Sequence, residues 1–196
     1  MEQTKVQKLA KALNILVMVT LAVNIVAIVL IPGLLYYDPQ NLVGGVEEFV
    51  GTIVHADGDD IVPAGVFAVV FGWLFLLLEP GIYPVGACVF LLICGVCTAV
   101  ILRQAHWILN TIQEGNPFQM RNARSMKRAA LCCWGISGLA VIRFMWELGT
   151  LNNIAPLFTY NALAIPVFFM GGLLFLVMSA LFRQAAELKE DQDLTI

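Results

Sequence analysis

Charge is scarce in this chain. Lys, Arg, Asp and Glu make up 13% of it, against roughly 25% in an ordinary soluble domain, too little to coat a water-soluble protein of this length. Basic residues are missing altogether from 32–81 and from 149–160. With a net charge of −3, the chain has no positive excess for direct binding of nucleic acid. None of the five cysteines (Cys88, Cys94, Cys97, Cys132, Cys133) falls in the stretches without basic residues, which excludes a disulfide framework on an oxidising face. Phosphate loops, nucleophile elbows, zinc-protease helices and dinucleotide fingerprints are absent. No cofactor is implied, and no enzyme is expected.

The chain has long uncharged runs instead. A hydrocarbon core about 30 Å thick takes about 20 apolar residues at 1.5 Å each. Residues 12–31, 82–102, 129–148 and 161–182 each supply such a run. A fifth, 61–78, is shorter and closes on Glu79-Pro80-Gly81. Lys5, Lys8 and Lys11 precede the first run. Arg103, Arg121, Arg124, Lys127 and Arg128 lie between 82–102 and 129–148, and Arg183 and Lys189 follow the last. Positive residues are held in the cytoplasm. Four spans therefore put both termini, the loop 103–128 and the tail 183–196 inside, and 32–81 outside. Counting 61–78 as a fifth span would part the first lysine cluster from Arg121 and its neighbours. The sequence thus predicts an all-α integral membrane protein: a four-transmembrane-helix bundle with 61–78 as an extra outer-face apolar helix, re-entrant or interfacial. The first run is too long for the apolar part of a signal peptide and is expected to stay as an anchor.

Polar residues inside the runs need an explanation. Thr20 and Asn24 are four residues apart and so share a helix face. That face is expected to point into the bundle, as packing contacts or as part of a polar pathway, and Asn14 is the third polar residue of the run. Arg143 is the one basic residue within a span, ~8 Å from its outer end. Glu147 lies at ion-pair spacing, so this is either a structural pair or a ligand-binding or gating site. Gly135, Gly138, Gly171 and Gly172 suit close helix approach, and Pro166 predicts a kink. Cys94 and Cys97 form a CxxC pair at a depth near Cys132 and Cys133. Buried thiols are the simpler reading, and metal or redox chemistry the alternative. His55, Asp57, Asp59 and Asp60 lie in an acidic loop without calcium-loop spacing. His106 has no catalytic companion.

The loop 103–128 reads as two short helices broken at Glu114-Gly115-Asn116-Pro117-Phe118. Gly115 suits a helix end, Asn116-Pro117 a helix start, and Phe118 an apolar dock. Arg121, Arg124, Lys127 and Arg128 then face the acids of the tail, Glu187, Glu190, Asp191 and Asp193, as one cytoplasmic surface. Alternatively, the basic cluster holds anionic headgroups. Glu114-Gly-Asn-Pro-Phe118, Asn122-Ala-Arg124 with its following basic pair, and the ending from Ala186 to Ile196 resemble the YoaS-like family of bacterial four-span membrane proteins of unknown function. Its members are often encoded beside an Xre/Cro-type helix-turn-helix regulator. The resemblance implies a bacterial cytoplasmic membrane and a link to transcriptional control, without site residues. Three roles remain: a membrane sensor partnered with such a regulator, a small transporter, channel or immunity-type protein, and a subunit of a larger complex. Contact with the lipid bilayer is common to all, and homo-oligomerisation stays open.

Overall fold

The computed structural model of the chain describes residues 5–37, 44, 47, 50–51, 54–55, 61–78, 82–151 and 160–193. Among them are α1 (Lys5–Tyr37), α2 (Ile61–Leu78), α3 (Ile82–Gln113), α4 (Met120–Leu151) and α5 (Tyr160–Asp193). No strand occurs among the described residues. Four helices hold stretches long and apolar enough to cross a membrane: Val6–Leu30, Val85–Gln113, Met120–Gly149 and Ala162–Gln192. The apolar stretch of α2, Gly65–Leu74, is shorter. This is a multi-pass, all-helical membrane protein. Asp57, Asp59 and Asp60 lie outside the described residues.

Helices overrun the ends that the sequence suggested. α1 continues through Pro32-Gly33 to Tyr37, since a proline removes one backbone bond and a helix in a membrane protein can bend through it. The two short helices expected in 103–128 are instead the ends of α3 and α4. What separates them is a tight turn at 114–119. α5 likewise runs unbroken through Pro166 to Asp193.

Contacts divide the chain into Asn24–Val96 and a larger unit of Met1–Val23 with Cys97–Ile196. Within the first unit, Cys88 is buried among Ala87, Leu91 and Leu92, Ile28 fills the space beside Gly95, and Phe67 stacks on Phe71.

Within the larger unit α4 and α5 form the most extensive helix pair. The inward face of α4 is small or slender: Ala123, Ala129, Ala130, Cys133, Ile136 and Ala140 are buried. Small residues let helix backbones approach where no hydrophobic effect drives association. The antiparallel register is pinned at several levels. Ser137 Oγ donates to the carbonyl of Ile165 at 3.0 Å, one residue before Pro166. Trp134 of α4 lies flat against Gly172 of α5, where an added Cβ would strike the indole. Ser179 Oγ donates to the carbonyl of Ala123 at 2.7 Å. Gly135, Gly138 and Gly171 have no atom within 4 Å of a would-be Cβ. Of the four glycines assigned to close approach, Gly172 alone meets a neighbour, because the other three face away from the α4–α5 seam.

Along α1, from Val6 to Ile28, only Gln7, Ala10, Asn14, Val17, Leu21, Asn24 and Ile28 are shielded. Their spacing alternates three and four, the heptad seam of a coiled coil. Apart from Lys8, Lys11 and Thr20, every other position exposes apolar surface, as a lipid-facing helix should. Asn14 and Asn24 sit on the seam. Thr20 does not: it is exposed, and its hydroxyl donates to the Leu16 carbonyl of its own helix at 2.9 Å.

Candidate functional site at the basic helix ends

Gly115 adopts φ 78°, the left-handed conformation that glycine enters without strain, and this ends α3. The Gly115 amide donates to Ile112 and the Asn116 amide to Thr111, at 3.1 and 3.0 Å. The chain does not restart at Asn116-Pro117. α4 begins at Met120, because the residues between are held as a turn by Asn122. That side chain is 1% exposed. Both hydrogens of its amide are used, on Thr111 Oγ1 at 2.6 Å and the Pro117 carbonyl at 2.7 Å. Sequence reading gave Asn122 only as part of the family resemblance and missed its role in the turn, since nothing in its neighbours marks a buried donor.

The C-terminal helix closes on this turn. Lys189 Nζ donates to Asn116 Oδ1 at 2.7 Å, and the Phe118 and Phe182 rings are 5.8 Å apart. Phe118 stays about half exposed. Glu114 donates its backbone amide to Asn110. Glu187, Glu190 and Asp191 are exposed on the tail, while the side chain of Asp193 lies outside the described residues. Glu187 accepts from Arg183 Nε at 2.8 Å. One helical turn along its own helix is closer than a basic residue across the seam. Among the described residues no carboxylate pairs with Arg121, Arg124, Lys127 or Arg128.

Those four basic residues flank two concavities. One, of about 500 Å³, lies between α4 and α5 and includes Arg124, Lys127 and Arg183. The other, of about 320 Å³, is walled by Trp107, Met120, Arg121, Arg124, Ser125 and Arg128. Arg103 and Arg121 both stand over the Trp107 ring, 5.1 and 5.0 Å from its centroid.

A closed polar ring ties α1 to α3 at this end. Asn14 Nδ2 donates to Asn110 Oδ1 at 2.9 Å. Asn14 Oδ1 lies 2.7 Å from His106 Nδ1, and Asn110 Nδ2 lies 3.1 Å from His106 Nε2. A carbonyl oxygen only accepts, so His106 Nδ1 carries the proton and Nε2 accepts from Asn110. Each member then gives one bond and takes one. Gln7 adds a donation to the Gln113 carbonyl at 3.3 Å. The i,i+4 spacing of His106 and Asn110 was visible in the sequence, but their partner 92 residues away was not.

Arg143 and Glu147 lie far along α4 from this end. Arg143 Nε donates to Glu147 Oε1 at 2.9 Å, with both side chains largely shielded. Cys97 and Cys132 are within side-chain hydrogen-bonding reach across α3 and α4. None of the five cysteines is in a disulfide, and no cluster of metal-ligating groups occurs among the described residues. His55 is exposed and bonded to the Gly51 carbonyl at 2.7 Å.

No curated protein and no solved structure matches the chain. Residues 72–196, which take in α3, α4 and α5, match the family described as Protein of unknown function (DUF2975). The chain belongs to the DUF2975 family.

Proposed function

We propose that this protein is a non-enzymatic, membrane-held regulatory partner of a cytoplasmic helix-turn-helix transcription regulator, with the basic helix ends and both termini in the cytoplasm. The observation that carries the reading is the joining of turn and tail. Lys189 on Asn116 and Phe118 against Phe182 make the 114–118 turn and the end of α5 one surface, on which Glu187, Glu190 and Asp191 stand exposed. A fixed row of carboxylates is complementary to the basic face with which a regulator grips DNA phosphates, so the two would compete for it. The resemblance to the YoaS-like family supplies the kind of partner. Transport is less well supported, because Gln7 and Asn14 are engaged by α3 and Thr20 by its own helix.

The test is co-purification of the tagged chain from its native membrane, with any bound helix-turn-helix regulator identified by mass spectrometry. Wild type should retain it, and Glu187→Lys/Glu190→Lys/Asp191→Lys should lower retention at least tenfold. Equal retention by the variant, or none by wild type, refutes the reading.

A further inference from the structure

Arg121, Arg124 and Arg128 project from one face of α4, at the spacings i, i+3 and i+7. The same exposed stripe runs on through Leu131, Gly135, Gly138, Ile142 and Met145. The concavity beside the arginines has Trp107 as its far wall. On that indole stand two guanidiniums, Arg103 and Arg121. Stacking engages the flat face of a guanidinium and leaves its N–H edge free to bind oxygen anions in pairs. Arg103, Arg121, Arg124 and Arg128 have no carboxylate partner among the described residues. The three arginines that line this hollow, Arg121, Arg124 and Arg128, repel each other, and an anion placed among them relieves that repulsion.

The rest of the stripe says which anion. Leu131 and Ile142 are 56% and 67% exposed on a helix that crosses the membrane, so they face acyl chains. The arginines immediately before them stand at the level of the headgroups. Gly135 and Gly138 open onto empty space and leave a shallow furrow between those side chains. Gly138 is ~15 Å along the helix from Arg128, a distance that one acyl chain spans. We propose that this stripe is a binding site for one anionic phospholipid. Its phosphate sits against Arg121, Arg124 and Arg128 beside Trp107, and an acyl chain lies in the furrow at Gly135 and Gly138. A soluble phosphate would share the headgroup chemistry but have no use for the furrow.

The test uses the full chain in detergent, offered phosphatidylglycerol and phosphatidylcholine in equal amounts, with retained lipid read by native mass spectrometry. Wild type should retain phosphatidylglycerol selectively. At about fivefold per basic residue near the membrane surface, Arg124→Gln/Arg128→Gln should lower that selectivity about 30-fold. Lys8→Gln/Lys11→Gln, an equal change of charge on α1, should leave it intact. Gly135→Leu/Gly138→Leu should weaken lipid retention with the arginines untouched. If wild type holds both lipids equally, or the lysine variant loses as much, the site does not exist. Displacement by inorganic phosphate but not by chloride of equal ionic strength would make it a free-anion site and overturn the lipid assignment. If the arginine variant fails to fold, the wild-type selectivity and the glycine variant still decide.

Discussion

At the scale of single residues, position within a seam separates side chains that composition treats alike. Gly171 and Gly172 are neighbours in sequence with opposite surroundings: one opens onto space, and the other lies against the Trp134 indole. Gly172→Ala is expected to lower the thermal stability of the purified protein by about 1–3 kcal/mol, since an extra methyl in a filled seam forces the indole off its place. Gly171→Ala should be neutral or stabilising by up to about 1 kcal/mol, because alanine is the better helix former and nothing blocks it. Melting curves of the two variants check both signs. The small-residue pairing of helices was legible in the sequence. Which glycine made it was not, because that depends on the rotation of α5 relative to α4. Asn122 teaches the same lesson from the polar side. Its burial follows from the turn it closes, and a lone asparagine beside basic residues reads like a surface residue.

At the scale of elements, α1 shows how little of a membrane helix need be specific. Its seam is one residue wide, and Gln7 and Asn14 are placed where α3 can answer them, while the buried Asn24 Oδ1 has no hydrogen-bond partner among the described residues. In the ring of Asn14, His106 and Asn110 each donor has one acceptor, so removing any member leaves two partly buried groups open. Single changes to Leu at these positions should each destabilise by about 1–3 kcal/mol. The triple change, which leaves no orphan, should cost well under the sum of the three. Additive losses in thermal unfolding would show that the three act separately. Thr20→Val, by contrast, should have little effect, because its hydroxyl returns to its own helix. Helix ends were misread from sequence for one reason. Proline and charge mark where a span leaves the hydrocarbon, and a helix stops only where its backbone bonds do, as at Gly115.

At the scale of the whole molecule, orientation follows from charge rather than packing. Ten of the eleven basic residues lie on one side of a four-span topology, and the positive-inside rule then predicts that this side is cytoplasmic. Single cysteines at Asn116 and Glu190, in a background without the native five, should react with a membrane-impermeant thiol reagent only after cells are opened. A cysteine at Asn153 should react in intact cells. Labelling of Asn116 or Glu190 from outside would invert the topology and remove the basis for a cytoplasmic partner. The sequence by itself determined the all-helical membrane class and the four long apolar runs, because hydrocarbon thickness and backbone hydrogen bonding restrict a span to about 20 apolar residues in a helix. It also determined the spacing of Arg143 and Glu147, since a one-turn contact lies within a single helix. Only the tertiary structure decided which residues meet across elements: Asn14 with His106 and Asn110, Trp134 with Gly172, Lys189 with Asn116, and Arg121 with Trp107. Those contacts join positions far apart in the chain, and they depend on the rotation and register of each helix, which hydrophobic periodicity leaves open when every outward face is apolar.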